Sequence, residues 1–415
     1  MDVVIDRLQP EDVEQEARLR ALAFQRDLGP YYDPDRPSVD RNRVHVAKAG
    51  GKVVAAVSVL PFGQWFGGAA LAMGGVAGVA VAPEARGHGL ARRLMNDAVT
   101  AMHERGEIIS SLYPTTSTLY RASGYEFAGR WERTRVEISE LARLPAPTRP
   151  VSGRRLTVEA LPAGQLQRMR PLYDALAATT NGWLARTDLF WDRLNYFMNP
   201  DKTNTYGYVI LADDEDEPVG KVVGGLTIGH TAGRHQLKYD LEVGGPFATD
   251  GDVLASALRL VADHGTTADR ATLSLPVETL ATALPGAVLD HRDSWLWMLR
   301  LIDVGPALTT RGYNPNVTAR VRFDLSDDLA PWNRGRWAID VADGRATVDG
   351  PSGTTSSGAG SVVELDIQTL SCLFTGFVGP WDLARAGRLP AADRPTLEAL
   401  AAIFAGPPPR LVDFF

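Results

Sequence analysis

The stretch from Val76 to Met95, VAGVAVAPEARGHGLARRLM, decides the fold. Val76 to Val81 is a short apolar run that reads as a strand. Leu90, Leu94, Ala98 and Met102 then recur every four residues, which gives the helix that follows one apolar face to bury against a sheet. Between strand and helix, Gly87 and Gly89 lack a Cβ, so consecutive backbone N–H groups can turn toward one bound anion. The helix start adds the positive end of its dipole, and Arg86 with Arg92 or Arg93 brings forked donors for phosphate charge. A diphosphate fits such a nest. His88 reads as backbone scaffolding within it.

Outward from this segment, the whole chain of 415 residues suits about two to four domains of ordinary size. Its 45% hydrophobic and 22% charged residues are those of a globular protein, and a net charge of −7 argues against nucleic acid or an anionic membrane as the main partner. No apolar run is long enough to span a bilayer, and the start, MDVVIDRLQPEDVEQEARLR, has no basic segment followed by an apolar one, so a cytoplasmic protein is expected. Cys372 is the one cysteine, which excludes an internal disulfide. The histidines never fall into metal-ligand spacing with acidic partners, His230 and His235 included, and no metal is expected. Ser110 and Ser111 lack a histidine and acid partner, which leaves a serine hydrolase unsupported.

Along the chain, a helix near Asp12 to Phe24, strands at His45 to Ala49, Lys52 to Leu60 and Gly74 to Val81, the helix after Gly89, and a strand at Ile108 to Tyr113 form one α/β unit. The proline-rich Leu144 to Pro150 reads as a linker. From Leu156 a similar order returns, with a hairpin at the acidic turn Asp213 to Pro218, strands at Leu237 to Val243 and Ala271 to Leu275, and a helix at Asp252 to Ala262. This copy offers Gly244-Gly245-Pro246 in place of the glycine-rich turn, so a degenerate second unit is expected. Trp295 to Val304 reads as a buried strand, and a β-rich third domain follows, with a loop at Gly350 to Ser361 and helices near Ile367 to Phe374, Pro380 to Ala386 and Arg394 to Ala405. Gly406-Pro407-Pro408-Pro409 then stiffens the approach to Leu411, Val412, Phe414 and Phe415. Burying such side chains is worth roughly 1.5–3 kcal/mol each, which favours a docked chain end.

Arg86-Gly87-His88-Gly89-Leu90-Ala91 matches the R-x-x-G-x-A pattern of the Gcn5-related N-acetyltransferases (GNAT). With YPTTSTLYRASGYEFAG at Tyr113 to Gly129, WLWMLRLIDV and the terminal Phe415, the whole chain resembles the actinobacterial Eis (enhanced intracellular survival) family. That resemblance implies an α/β fold of tandem GNAT units followed by a sterol-carrier-protein-like domain, with boundaries at 1–144, 151–300 and 301–415, assembled as a homohexamer. It implies acetyl-coenzyme A contacts at Val79, Ala80, Val81, Arg86, Gly87, His88, Gly89, Leu90, Ala91 and Arg92, with Thr115 and Thr116. It places the general acid at Tyr120 and the general base at the α-carboxylate of Phe415. Phe24, with Asp27-Leu28-Gly29-Pro30, and Phe414 would line the acceptor channel, where Arg26 is out of character for a cationic amine.

Acyl transfer from a thioester needs an unprotonated amine, a polarised carbonyl and a proton for the departing thiolate. An aliphatic amine of pKa about 10 is ammonium at neutral pH, so a base must take its proton. Backbone N–H groups at Val79 to Val81 can face the carbonyl oxygen and pair with an amide-rich pantetheine arm. The expected activity is N-acetylation of a primary amine on an aminoglycoside, a polyamine, or a lysine-like small molecule or peptide. Two other readings stay open: a coenzyme A-sensing or apolar-ligand-binding protein without turnover, and an aminoacyl transferase acting on cell-wall peptide.

Overall fold

The computed structural model describes residues 2–25, 39–144, 155–214, 217–233, 237–351 and 362–415. Arg26 and the 27–30 channel segment, the 145–150 linker, His235 and most of the Gly350 to Ser361 loop lie outside the described residues. In the first half, strands β1 (Val4–Arg7), β2 (Val44–Ala49), β3 (Lys52–Phe66), β4 (Ala69–Val81), β5 (Ile109–Leu112) and β6 (Glu126–Glu137) are joined by helices α1 (Val13–Phe24), α2 (Leu90–Glu104) and α3 (Ser117–Arg121). The β3–β4 hairpin is longer than the sequence pattern marks. Pairing continues past Pro61 to Phe66 opposite Ala69, because Gly67 and Gly68, both at positive φ, close the tight turn. Helix α2 buries Leu90, Leu94, Ala98 and Met102 as read.

The second half contributes β7 (Leu156–Leu161), β8 (Leu184–Ala185), β9 (Thr205–Asp214), β10 (Glu217–Ala232), β11 (Tyr239–Ala248), β12 (Ala268–Leu273) and β13 (Leu289–Leu301). Both halves belong to one 14-stranded sheet, whose main path runs β1-β2-β3-β4-β5-β13-β6-β12-β11-β10-β9-β7. The halves therefore exchange their last strands. β13 pairs with β5, and β6 pairs with β12; between them β6 and β13 pair with each other, Trp131 opposite Trp295. Packing follows the exchange: Trp297, Met298, Leu299 and Leu301 join the first half's core, while Val136 and Ile138 join the second's. A proline-rich linker after residue 144 thus separates the halves in sequence without separating them in space.

Strand β13 ends at Leu301, and Val304 opens a helix (Val304–Thr310) instead of ending the strand. The third region has a four-stranded sheet of β14 (Ala319–Ser326), β15 (Gly335–Ala342), β16 (Arg345–Asp349) and β17 (Val362–Asp366), in the order β16-β15-β14-β17, with helices Ile367–Thr375, Pro380–Arg385 and Arg394–Ile403. It shares a core with the first half, where Phe66 meets Phe374 at 5.2 Å between ring centroids. The chain ends in a short strand, β18 (Arg410–Leu411), parallel to β6.

Candidate active site

The site is built on a fork between parallel strands. β4 and β5 pair from Met73 and Ile109 to Val76 and Leu112; β5 then stops, while β4 continues along β3 to Val81. At the fork β4 carries a bulge. Ala77 lies opposite Ser58 and Ala80 opposite Ala56, so Gly78 and Val79 together face one residue, Val57. Gly78 has φ +62°, and a Cβ there would lie 2.7 Å from the guanidinium of Arg20 on α1. Val79 and Val81 consequently turn their backbone amides to the edge that β5 has vacated, whereas Ala80, like Ala82, directs its own toward β3 and offers the edge none.

The turn beyond β4 has the form the sequence implied. Gly87 (φ +80°) and Gly89 (φ +70°) take backbone conformations closed to most side chains, with open space where a Cβ would be. Gly89 is the N-cap of α2 and brings no side chain to its first turn, so the N–H groups of Leu90, Ala91 and Arg92 are left to a ligand. Arg86 and Arg92 are exposed beside them. The His88 ring nitrogen Nδ1 lies 3.0 Å from the Arg86 carbonyl and 3.3 Å from that of Ala85, which makes it a brace of the turn. An open cradle of amides at a helix start, flanked by arginines, fits the diphosphate of coenzyme A.

Thr116 is the N-cap of α3, Thr115 is exposed beside it, and Tyr120 is buried on the helix. Burial pushes the Tyr120 phenol above its ordinary value, partly opposed by the Thr115 hydroxyl. Tyr120 meets Tyr125 edge-on at 6.4 Å; Tyr125 donates to Ser110 Oγ (2.7 Å), which donates to the Gly74 carbonyl on β4 (2.7 Å). The glycine of the Leu119 to Tyr125 stretch, LYRASGY, has a steric cause. Gly124, at φ +87°, lies against the guanidinium of the buried Arg300, which donates to the Ser123 carbonyl (2.9 Å) and pairs with Asp327 (2.7 Å). The Tyr120 loop is in this way tied to the third region.

The chain end does not fray. Arg410 N–H donates to the Asn181 carbonyl (2.9 Å), and Asn181 Nδ2 to that of Pro407 (3.1 Å). Gly129 and Gly182 make room for the tail: a Cβ at either would stand within 2.6–2.7 Å of the carbonyl oxygen of Pro409 or Arg410. Asp413 is buried, takes both Arg186 nitrogens (2.7 and 3.1 Å) and the Tyr173 hydroxyl (2.8 Å), and its carbonyl accepts from Tyr113 (2.6 Å). The Arg186 guanidinium also lies 3.6 Å over the Tyr173 ring. Phe415 follows, 8% exposed, its ring 5.3 Å from Phe62 and 5.6 Å from Tyr113. It packs on β4 at Gly75, where a Cβ would strike Phe62 and Phe415 together. Tyr120, through Tyr125 and Ser110, leads to Gly74 on the same strand, next to the seat of Phe415. Phe414 is half exposed, while Phe24 stands exposed at the end of α1.

The second half has a matching fork, differently finished. β11 and β12 pair up to Val243 and Leu273 and then part, and a bulge at Gly245 and Pro246 faces Leu226, as Gly78 and Val79 face Val57. Pro246 has no N–H where Val79 has one. The helix Gly251–Ala262 starts close behind β11, and the Asp250 carboxylate caps its N–H groups at Asp252 and Val253. Helix Val277–Ala283, which follows β12 as α3 follows β5, carries no tyrosine. Beyond the end of β12, the tail pairs with β6 in its place, Arg410 with Arg130 and Leu411 with Trp131. A cavity of about 190 Å³, walled by Trp183, Phe247, Leu275 and Leu411 among others, is what remains of that cleft.

Comparison with known proteins agrees with this architecture. The acetyltransferase (GNAT) domain family matches residues 4–128, and the sterol carrier protein domain family matches residues 304–412. An uncharacterized N-acetyltransferase of Streptomyces avermitilis is 28% identical, with 78% of this chain and 76% of that one covered. N-acetyltransferase Eis of Mycobacterium tuberculosis is 26% identical, covering 81% and 78%. A crystal structure of a GCN5-related N-acetyltransferase from Anabaena variabilis superposes over 100% of both chains with TM-score 0.87 and 28% identity. The chain is an acyltransferase with a GNAT domain, a second half that repeats the fork of the first, and a sterol-carrier-like domain. Within that class it is a relative of the Eis N-acetyltransferases.

Proposed function

We propose that the chain transfers the acetyl group of acetyl-coenzyme A to a primary amine, by direct attack of the amine on the thioester. The observation that carries this reading is the docked chain end: Phe415 is seated on β4 at Gly75, just before the bulge, and Tyr120 is linked through Tyr125 and Ser110 to Gly74 on the same strand. Bound acetyl-coenzyme A supplies the activated acyl group. Gly87 to Arg92, with Arg86, hold its diphosphate; Val79 and Val81 pair with its amide arm and face the carbonyl oxygen; Thr115 and Thr116 add contacts near the sulfur.

The Phe415 carboxylate attracts the ammonium and takes its proton through water, freeing the lone pair that forms the new C–N bond. As the C–S bond breaks, Tyr120 passes its proton to the leaving sulfur, and the second proton that the nitrogen sheds as the amide forms returns to the Tyr120 phenolate. Because burial raises its pKa, the phenol stays protonated at neutral pH and is available as the acid. Phe24 and Phe414 border the acceptor. The second half binds no coenzyme A: its bulge lacks the amide, and its helix start is filled by Asp250. The regions 1–144, 151–300 and 301–415 act as catalytic, degenerate and sterol-carrier-like domains of a cytoplasmic homohexamer, a state that sedimentation of the purified protein tests.

The deciding experiment follows thiol release on an amine panel. Adding one glycine after Phe415, or making Tyr120→Phe, should cut turnover by about 10²–10⁴-fold while calorimetry shows acetyl-coenzyme A binding unchanged. Wild-type turnover by the extended chain would remove Phe415 from the mechanism. Binding without turnover on any amine would favour a sensor.

A further inference from the structure

Around the chain end three aromatic side chains form a wall. Trp295 lies 5.5 Å from Trp131 and 5.4 Å from Phe414 between ring centroids, and Trp131 lies 6.1 Å from Phe414, which in turn leans on Tyr113 at 4.7 Å. Trp295 is 50% exposed and Phe414 45%, so large apolar faces are left to solvent beside the buried Phe415. The topology explains why they are open. In the second half, the edge of β6 beyond the end of β12 is covered by the tail at Arg410 and Leu411. The matching edge of β13 beyond the end of β5, at Leu296 and Trp295, pairs with no strand among the described residues other than β6. The second half fills this seat with the chain's tail; in the first, no strand among the described residues fills it.

The charges around the wall narrow what can occupy it. Asp413 is held by Arg186, Glu242 by Arg133, and Glu132 lies 3.8 Å from Arg410 and 4.0 Å from Arg130. The Arg133 guanidinium already sits 5.5 Å over Trp131. Among the described residues a polycation would meet arginine-paired carboxylates here, whereas a single ammonium beside the Phe415 carboxylate leaves the rest of the acceptor against aromatic faces. Resting on the amine-acetyltransferase reading above, we infer that the acceptor carries one primary amine on a flat aromatic body, which lies against Trp295 and Phe414.

The test is a steady-state comparison on the full-length protein, with 2-phenylethylamine, n-propylamine, spermidine and kanamycin as acceptors. The inference expects kcat/KM for 2-phenylethylamine to exceed that for the other three by at least about tenfold. It expects Trp295→Ala to raise KM for 2-phenylethylamine about tenfold relative to n-propylamine, and Trp295→Phe to restore most of the loss. Preference for spermidine or kanamycin overturns the inference and leaves the amine reading standing. A Trp295→Ala variant that sediments as a smaller species with KM for 2-phenylethylamine unchanged also overturns it, by showing the wall to be a contact between copies. Turnover of no amine at all overturns the function proposed above, and this inference with it.

Discussion

The two forks of the long sheet share a backbone plan and differ in which backbone donors are left free. Each parts its parallel strands after a matching residue, Val76 in one and Val243 in the other, and each sets a glycine bulge at the parting. In the first fork the bulge carries an N–H at Val79, and the helix beyond is left uncapped; in the second, Pro246 has no N–H and Asp250 caps the helix. A fold that supports a ligand site is therefore insufficient for one. What distinguishes them is whether the backbone donors are left unspent. The second fork has another use: its open end receives the chain tail, which then crosses to deliver Phe415 to the first.

If the second half serves as the seat of the tail, loosening that seat should show most. Replacing Arg186 by methionine leaves the Asp413 carboxylate buried without its partner, a change that typically costs about 3–5 kcal/mol. Urea unfolding should shift by that amount, and carboxypeptidase should release Phe415 faster than from the wild type. A midpoint and digestion rate equal to wild type would mean that the tail is held by its backbone pairing and apolar side chains alone. The next test moves the difference from one fork to the other. Val79→Pro should lower kcat/KM by about 10²–10³-fold, the usual loss for one donor to a developing oxyanion, whereas Pro246→Val should leave turnover as it was. Equal losses from both would show the bulges to be structural alone.

Most of the first fork was legible in the sequence because its requirements are local. R-x-x-G-x-A fixes a turn within a few residues, and the period of Leu90, Leu94, Ala98 and Met102 fixes the helix behind it. The exchange of β6 and β13 was not legible, since Trp131 and Trp295 have the same apolar, strand-forming character whichever half they pair with. Arg186 and Asp413 were missed for a related reason: an isolated arginine and aspartate look like surface charges until folding brings them together. Gly129 and Gly182 carried a signal that could have been followed. Gly129 lies inside a strand where nothing local demands a glycine, while Gly182 completes an Asn-Gly turn at φ +92°, and each proves to mark the close approach of the tail.

The smallest effect probes the helix starts themselves. The Asp250 carboxylate accepts from the N–H groups of Asp252 and Val253 at 3.1 Å each, doing for this helix what a bound phosphate would do for α2. Asp250→Ala should therefore lower the unfolding free energy by about 1 kcal/mol, as loss of an N-cap commonly does. It should not create a second coenzyme A site, because Pro246 and the tail still occupy the rest of the fork. Calorimetry should thus give the variant the same stoichiometry as the wild type, for which the proposed single site predicts one coenzyme A per chain. A second binding event would mean that the aspartate alone excludes the cofactor, and that the proline and the tail are incidental to the division of labour between the halves.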